Sequence, residues 1–240
     1  MQALSGERLL AAWDRAHDTH VLLRAVDLLG EVLPGVEREQ LLQLPLGELN
    51  RLLLQLRQSS FGPVLEGYAD CRRCGTAMEF SLPVASALAA LDAQAAPDHL
   101  EWQQEGQHLR MRQATAADLL ACAQTTDVDA AEERLLARCI EVDGATIEPS
   151  ELAGNAMVRQ RFDHLHAGAE LRCALSCPQC KHEDNWEFDI AHFVWLEARN
   201  AAQRLLADIH ALACHYGWSE HAIASMSPHR RNAYLELLSA

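Results

Sequence analysis

Two Cys-x-x-Cys pairs constrain this chain more than any other feature of its sequence. Cys177 and Cys180 follow Cys71 and Cys74 by the same 106 residues. Each pair lies between two short stretches with the residue types and alternation of β-strands. These stretches are residues 64–69, 78–82, 170–176 and 185–190. The sequence therefore predicts two related β-hairpins, each with a cysteine pair at its tip.

Four cysteines at two hairpin tips are the ligand set of a zinc-ribbon site, in which four thiolates hold one Zn²⁺ tetrahedrally. Such a site has no open coordination position. The predicted metal ligands Cys71, Cys74, Cys177 and Cys180 would therefore clamp the two hairpins together rather than activate water. The same four sulfurs can hold iron, so the sequence leaves zinc and iron open.

The cysteine pairs also allow roles that involve no metal. Each pair could be two small core residues or a redox couple. A thioredoxin-like couple belongs at the start of a helix, whereas Gly75 and a strand-like stretch follow the first pair. Cys173 and His182 are spare ligands if one of the four is misassigned. Cysteines in apolar stretches are predicted to be core residues, namely Cys122, Cys139, Cys173 and Cys214.

The two hairpin loops are predicted to differ in length and in one glycine. The dipeptide Glu79-Phe80 follows the first cysteine pair by five residues, and Glu187-Phe188 follows the second by seven. If these dipeptides correspond, the second loop is two residues longer. Gly75 follows the first pair, but Lys181 stands after the second, where a glycine is expected.

The predicted fold class is α+β, mainly helical with a small antiparallel β portion that contains the zinc-ribbon-like four-cysteine site. Residues 1–60 form an N-terminal helical region, because leucines recur there at helical spacing. Residues 61–190 hold the cysteine hairpins, a further hairpin turning at Gly106, and inserted helices. Residues 191–240 form one long helix followed by short helices.

Helix starts within the middle region are predicted from short polar side chains that can cap exposed backbone N–H groups. The predicted caps are Thr115 for a helix over residues 116–123, Asp129 for a helix over residues 130–140, and either Pro149 or Ser150 for a helix that reaches about residue 166. Residues 83–97 are rich in alanine, and the sequence leaves a helix and a mobile connector equally open for them.

Charge and hydropathy exclude several classes of protein. The 240 residues carry a formal net charge of −14, which disfavours nucleic-acid binding. No apolar run is long enough to cross a bilayer, and the first residues lack the pattern of a signal peptide. The eight cysteines are too few for a secreted disulfide scaffold, so a cytoplasmic, reducing location is predicted.

No catalytic motif is present: there is no Gly-x-Ser-x-Gly, no glycine-rich phosphate loop and no His-Glu-x-x-His. The protein is therefore predicted not to be an enzyme. Its C-terminal stretch is instead rich in the residue types that anchor protein interfaces. The candidate partner-binding residues are Tyr216, Trp218, Arg230, Arg231 and Tyr234. The alternative is that these aromatic residues pack against the long helix.

Several segments resemble the T4-type baseplate hub assembly chaperones, a family of proteins encoded with contractile phage tails and related injection particles. The segments are residues 61–63, residues 112–120, residues 186–190 after the second cysteine pair, and the tail from residue 205 to 238. The similarity covers roughly residues 45–240, and the first helices match less clearly.

The resemblance implies a non-enzymatic protein that helps to build, or forms part of, the baseplate hub, with hub or other tail proteins as its partners. The alternative from another class is a zinc-ribbon regulatory or nucleic-acid-associated protein. That alternative requires a basic strip near the cysteine pairs, and only Arg72, Arg73, Arg172 and Lys181 supply one.

Overall fold

A computed structural model describes residues 1–148 and 155–238, and the chain divides into two compact units. Unit 1 comprises Met1–Arg38, Gln55–Gly62 and Ala191–Ala240, and unit 2 comprises Glu39–Leu54 and Pro63–Ile190. The three-part division at residues 60 and 190 stays a prediction.

The described residues form mostly helices. The helices are α1 (Glu7–Ala16), α2 (Val21–Val32), α3 (Arg38–Leu42), α4 (Leu46–Phe61), α5 (Val84–Ala93), α6 (Ala116–Cys122), α7 (Val128–Cys139), α8 (Ala156–His166), α9 (Ile190–Tyr216), α10 (Glu220–Ala224) and α11 (Pro228–Leu238). The strands are β1 (Val64–Asp70), β2 (Ala77–Pro83), β3 (His99–Gln104), β4 (Gln107–Arg112), β5 (Ile140–Val142), β6 (Ala145–Thr146), β7 (Leu171–Ser176) and β8 (Glu183–Phe188). The mainly helical α+β class is confirmed.

Unit 1 is helical, and its buried side chains follow the helical spacing of the sequence. On α9, Val194, Ala198, Leu205 and Leu212 are buried and share one face of the helix. The unit also buries the guanidinium of Arg57, which donates to both carboxylate oxygens of Glu197 at 2.8 and 2.9 Å. This pairing explains why a charged side chain is tolerated among leucines.

Unit 2 contains three antiparallel sheets: β1–β2, β3–β4–β5–β6 and β7–β8. One face of the four-stranded sheet contributes Met111 and Ile140 to an apolar core with Leu136 of α7 and Leu165 of α8. The opposite face is exposed, as the alternation of residues along β4 requires. The two short sheets carry the cysteine pairs at their tips.

Of the predicted helix caps in the middle region, one is confirmed and one is wrong. Thr115 caps α6, and residues 84–93 are helical. The cap of α7 is Asp127 rather than Asp129, because the Asp127 carboxylate accepts the backbone N–H of Asp129 at 3.1 Å. Asn155 caps α8, and the predicted start at residue 149 or 150 lies outside the described residues.

A short hairpin, β5–β6, was not predicted. Ile140 was assigned to the preceding helix, but it begins a strand that pairs with β4. Asp143 and Gly144 form the turn, with φ of 50° and 79°. Two positive φ angles in succession match the type I′ turn that Asp-Gly favours.

Candidate metal centre

Each cysteine pair lies in a loop of the same construction. The loops, called here the first and second cysteine loops, are residues 71–76 and 177–182. In the first, the backbone N–H of Cys71 donates to the carbonyl of Thr76 at 2.9 Å, and in the second the N–H of Cys177 donates to the carbonyl of His182 at 2.9 Å. The loops therefore have equal length, and the prediction that the second is two residues longer is wrong.

Both loops also share a second backbone hydrogen bond and a residue in the left-handed backbone conformation. The N–H of Gly75 donates to the carbonyl of Cys71 at 2.8 Å, and the N–H of Lys181 donates to that of Cys177 at 3.0 Å. Gly75 has a φ of 72° and Lys181 a φ of 57°. Lysine thus adopts the conformation that glycine adopts without steric cost, so the missing glycine leaves the loop geometry unchanged.

The two loops bring the four predicted sulfur ligands together. Cys71 Sγ lies 3.6 Å from Cys180 Sγ, and Cys74 Sγ lies 3.6 Å from Cys177 Sγ. All four sulfurs lie within 4.8 Å of one another. With Zn–S bonds of about 2.3 Å, a tetrahedral site has sulfurs about 3.8 Å apart. The donor set and its spacing therefore fit one four-sulfur metal ion.

The cysteine cluster is buried on one side and open on the other. Cys71 and Cys177 are buried and pack with Met78, while Cys180 is half-buried and Cys74 is exposed. The side chain of Thr76 donates to the Gln179 amide oxygen at 3.2 Å, which links the two loops directly. The fold therefore holds both loops together through packing and a polar bridge in addition to the sulfurs.

Hydrogen bonds, burial and neighbouring sulfurs shift the pKa values of three of the cluster's thiols in different directions. The hydroxyl and backbone N–H of Thr76 lower the pKa of Cys74 to about 6. Backbone N–H groups of residues 180 and 179 lower the pKa of Cys177. Cys180 also faces a backbone donor, at His182, but burial and its sulfur neighbours outweigh it and raise the pKa of Cys180 to about 11. Two of the thiols thus favour the thiolate form that metal binding requires.

Of the basic residues near the cysteine cluster, one already contacts a carboxylate and an aromatic ring. The guanidinium of Arg72 lies 3.2 Å from the Asp184 carboxylate and 4.5 Å from the ring centroid of Trp186. Arg73 and Lys181 are exposed on the two loops. Arg72 thus already faces a carboxylate, and Arg73 and Lys181 are the exposed cations of the two loops that could offset the charge of a four-thiolate site.

The remaining cysteines divide into buried and exposed residues. Cys122 and Cys139 are buried, as predicted, and burial raises the pKa of the Cys139 thiol to about 12. Cys173 is half-buried, and neither it nor His182 belongs to the four-sulfur cluster. The prediction that Cys214 is a core residue is wrong, because it lies exposed near the end of α9, 3.9 Å from His210 Nδ1.

The predicted partner-binding residues lie together in unit 1. Tyr216 stacks on Trp218 with ring centroids 4.5 Å apart, and Tyr234 contacts Trp218 edge-on at 4.8 Å. We call these three residues the aromatic cluster. Arg230 lies 5.8 Å from the Tyr234 ring, whereas Arg231 donates to the Asp208 carboxylate at 2.9 Å. Gly217, with a φ of 65°, ends α9 and turns the chain so that the aromatic residues meet.

Sequence reasoning missed a buried carboxylate within the segment 112–120. Asp118 is 2% exposed and accepts hydrogen bonds from Arg112 at 2.6 and 3.0 Å and from Arg138 at 3.0 Å. It also accepts the backbone N–H and hydroxyl of Thr115 at 3.0 and 2.9 Å. The capping pattern at Thr115 was a signal for part of this network, but nothing in the sequence indicated that Arg138 would join it.

The segment 112–120 has a second buried polar contact. The backbone N–H of Ala114 donates to His166 Nε2 at 2.6 Å, and His166 Nδ1 lies 2.7 Å from the carbonyl of Phe162. Burial lowers the pKa of His166, which favours the neutral ring that can accept this bond. The segment is therefore tied to α7 through Arg138 and to α8 through His166.

The geometry defines an α+β protein with a cluster of four cysteines that could hold a metal ion. Residues 7–195 match the family model described as T4 bacteriophage base plate protein. The chain belongs to this baseplate family. The match includes the first helices, and the resemblance of the tail after residue 195 stays a prediction.

Comparisons with curated proteins and with solved structures gave no match. Among the described residues, no helix combines the length and the apolar character needed to cross a membrane.

Proposed function

We propose that this protein is a non-enzymatic assembly factor or component of a contractile-tail baseplate hub, and that it binds other tail proteins. The observation that carries the proposal is the family match over residues 7–195. A baseplate is a protein assembly, so its members act chiefly through protein contacts. The proposed setting is the cytoplasm, where tails are built and where thiols stay reduced.

The proposed metal is a structural Zn²⁺ held by Cys71, Cys74, Cys177 and Cys180. Four thiolates fill a tetrahedral coordination shell and leave no position for water or substrate. The ion would therefore join two hairpins that are far apart in the sequence, and its binding would add to the free energy of folding. This role agrees with a binding protein whose surface must be held in one shape.

Metal analysis of the purified protein tests the proposed site. We expect one zinc per chain in protein purified under reducing conditions, and we expect Co²⁺ to replace it with the visible absorption of tetrahedral four-sulfur cobalt. Iron in place of zinc would support the proposed clamp but would show that the metal is iron. Reduced protein with neither metal in stoichiometric amount would contradict the site.

Capture of the protein with its neighbouring tail proteins tests the proposed function. The tagged protein is expected to retain at least one co-expressed hub or tube protein after nuclease treatment. Retention of DNA or RNA with no tail protein bound would instead favour the zinc-ribbon regulatory alternative, in spite of the net charge of −14.

The proposed partner-binding face is made of Tyr216, Trp218, Arg230, Arg231 and Tyr234. Its support is the aromatic cluster, in which Tyr216 is 38% exposed, and α11, which has no fully buried residue within its described length. Tyrosine, tryptophan and arginine carry much of the binding energy in many protein interfaces. The pairing of Arg231 with Asp208 would fix the position of α11 on this face.

Removing the half-buried Trp218 and the exposed Arg230 should weaken capture without unfolding the chain. Trp218→Ala combined with Arg230→Ala is expected to lower affinity for the captured tail protein by about 30-fold or more, because a single such anchor is often worth about 2 kcal/mol. Far-UV circular dichroism should not change. Arg199→Ala, an exposed arginine on α9, is the matched control. Loss of helix content in the double variant would instead make these residues part of the core.

A further inference from the structure

The strand β3 is an edge strand of the four-stranded sheet, since it pairs with β4 on one side and with no other strand among the described residues. Its six residues contain no proline, lysine or bulge, and its pairing with β4 is continuous from His99 opposite Arg112 to Gln104 opposite Gln107. Natural proteins commonly protect a free edge with such features, because its unpaired backbone groups can pair with another strand. We call the side of β3 that faces away from β4 the open edge.

The hairpin turn determines which backbone groups reach the open edge. Glu105 and Gly106 form a two-residue turn, with φ of 52° and 82°. The residues that flank such a turn, Gln104 and Gln107, are a hydrogen-bonded pair. Alternate residues of β3 therefore bond to β4, and the residues between them direct their N–H and C=O groups to the open edge. The edge-facing residues are His99, Glu101 and Gln103.

Two further hydrogen bonds agree with this alternation. The N–H of Gln113 donates to the carbonyl of Asp98 at 3.3 Å, which continues the ladder between β3 and β4. The carbonyl of His108, opposite Gln103, accepts the N–H of Asp143 at 2.8 Å and so faces away from β3. Within the described residues, the three edge-facing N–H groups and the three edge-facing carbonyls make no hydrogen bond to protein.

The two faces of β3 favour different side chains on an added strand. Leu100 and Trp102 lie on the core side and pack, partly buried, against the apolar core of unit 2. Residues of an added strand on that side would contact them, which favours apolar side chains there. On the other face β3 presents exposed polar residues, so the added strand would be polar on that face.

Charge favours a basic partner over a second copy of this chain. Residues 98–105 contain three carboxylates and no lysine or arginine. Glu101 pairs with Arg110, but Asp98 before β3 and Glu105 after it are exposed and make no ion pair among the described residues. Two copies joined along this edge would bring these acidic ends together, and each chain carries a net charge of −14. Basic residues at the two ends of an added strand would instead be attracted.

We propose that the open edge of β3 binds an extended segment of a protein partner, in which apolar and polar residues alternate and basic residues lie at both ends. The segment would add a fifth strand to the sheet through backbone hydrogen bonds to the three edge-facing residues. The proposal rests on the proposed function only in that the partner is a tail protein. It does not depend on the cysteine cluster or on the aromatic cluster.

The test is an NMR titration of the full chain with the blocked peptide acetyl-Lys-Thr-Val-Thr-Val-Thr-Lys-amide. We expect saturable shifts and slower hydrogen exchange at the amide protons of Glu101 and Gln103. Glutamate in place of both lysines should weaken binding about fivefold or more, since two surface ion pairs are lost. The absence of a saturable shift at these two amides, or equal binding of the glutamate peptide, would overturn the proposal.

N-methylated peptides test the backbone pairing without altering the protein. An N-methyl group on the central threonine removes an N–H that would face β3, so this peptide should not bind. The same group on the first valine removes an N–H that would face away from β3, so this matched control should bind. Equal effects of the two N-methyl groups would contradict strand addition.

Gln103→Pro removes one edge-facing N–H from the protein, and proline is tolerated in an edge strand where the N–H is unpaired. It should weaken peptide binding about fivefold, the usual effect of one net hydrogen bond. Gln103→Ala keeps the N–H and is the matched control, and both variants should melt as the wild type does. Equal binding by the two variants would overturn the proposal. The N-methylated peptides decide the question even where proline unfolds the hairpin.

Capture of tail proteins separates this proposal from the proposed function. A wild-type protein that binds the lysine peptide but captures no tail protein would contradict the proposed function and would still support the open edge. Capture that Gln103→Pro retains as fully as Gln103→Ala would contradict the open edge alone. Protection of the Glu101 and Gln103 amides that rises with protein concentration, in the absence of peptide, would show that a second copy occupies the edge and would overturn the assignment to a partner.

Discussion

Cys177→Ser is expected to abolish stoichiometric metal binding and to lower the melting temperature of the protein by roughly 10 °C. Cys177 is 1% exposed, and its sulfur lies 3.6 Å from that of Cys74. A serine hydroxyl is a poor replacement for a thiolate in a four-sulfur site. A ligand present at about 1,000 times its Kd stabilises the folded state by about 4 kcal/mol. For a chain of this size, each kcal/mol corresponds to about 2–4 °C.

The measurement is metal content per chain together with calorimetric melting, with and without a chelator. Wild-type protein should lose stability when the metal is removed, whereas Cys177→Ser should melt at one temperature in both conditions. Cys214→Ser is the matched control, because Cys214 is an exposed cysteine outside the cluster. Cys173→Ser separates the ligands from a nearby thiol of the same hairpin. Full metal content in Cys177→Ser would show that the clamp does not use this sulfur.

The four-cysteine cluster could be predicted from the sequence because the two cysteine loops are local structures. Spacing within each pair, flanking strand patterns and the repeat of 106 residues are all visible without tertiary information. Loop length was mispredicted because Glu79-Phe80 and Glu187-Phe188 were matched by residue type. In the structure, Phe80 and Phe188 instead contact each other edge-on with centroids 6.0 Å apart. Similar dipeptides thus marked a contact between the hairpins rather than equivalent positions.

Two other features show what local patterns leave undetermined. The Asp143-Gly144 turn was a hairpin signal, but β5 has only three residues and directly follows α7, so periodicity assigned Ile140 to the helix. Asp118 lies in the segment 112–120, which resembles the baseplate family. One of the arginines that pair with its buried carboxylate is Arg138, which is 20 residues away in another helix. Pairings at that distance depend on the packing of α6 against α7, which sequence periodicity does not specify.

Asp118→Asn is expected to destabilise unit 2 by about 3 kcal/mol. Removing one member of a buried ion pair commonly costs about 3–5 kcal/mol, since the partner's charge is left uncompensated. The lower end applies here, because Arg112 and Arg138 are 45% and 41% exposed and stay partly hydrated. Asparagine keeps an oxygen that can accept a hydrogen bond from Thr115, so the loss of stability reports mainly on the removed charge. Asp163→Asn, an exposed carboxylate on α8, is the control.

The pH dependence of the difference in stability between wild type and Asp118→Asn identifies the cause of that difference. Burial alone would raise the pKa of Asp118, but hydrogen bonds from Arg112 and Thr115 outweigh it and lower the pKa to about 2, from an ordinary 3.8. The carboxylate therefore stabilises the fold fully above the ordinary value, and this contribution is lost as pH falls towards about 2. Denaturant unfolding should show the gap between wild type and Asp118→Asn closing over that interval. A gap that stays constant down to acid pH would mean that asparagine disrupts packing, and that the two arginines do not depend on the charge of Asp118.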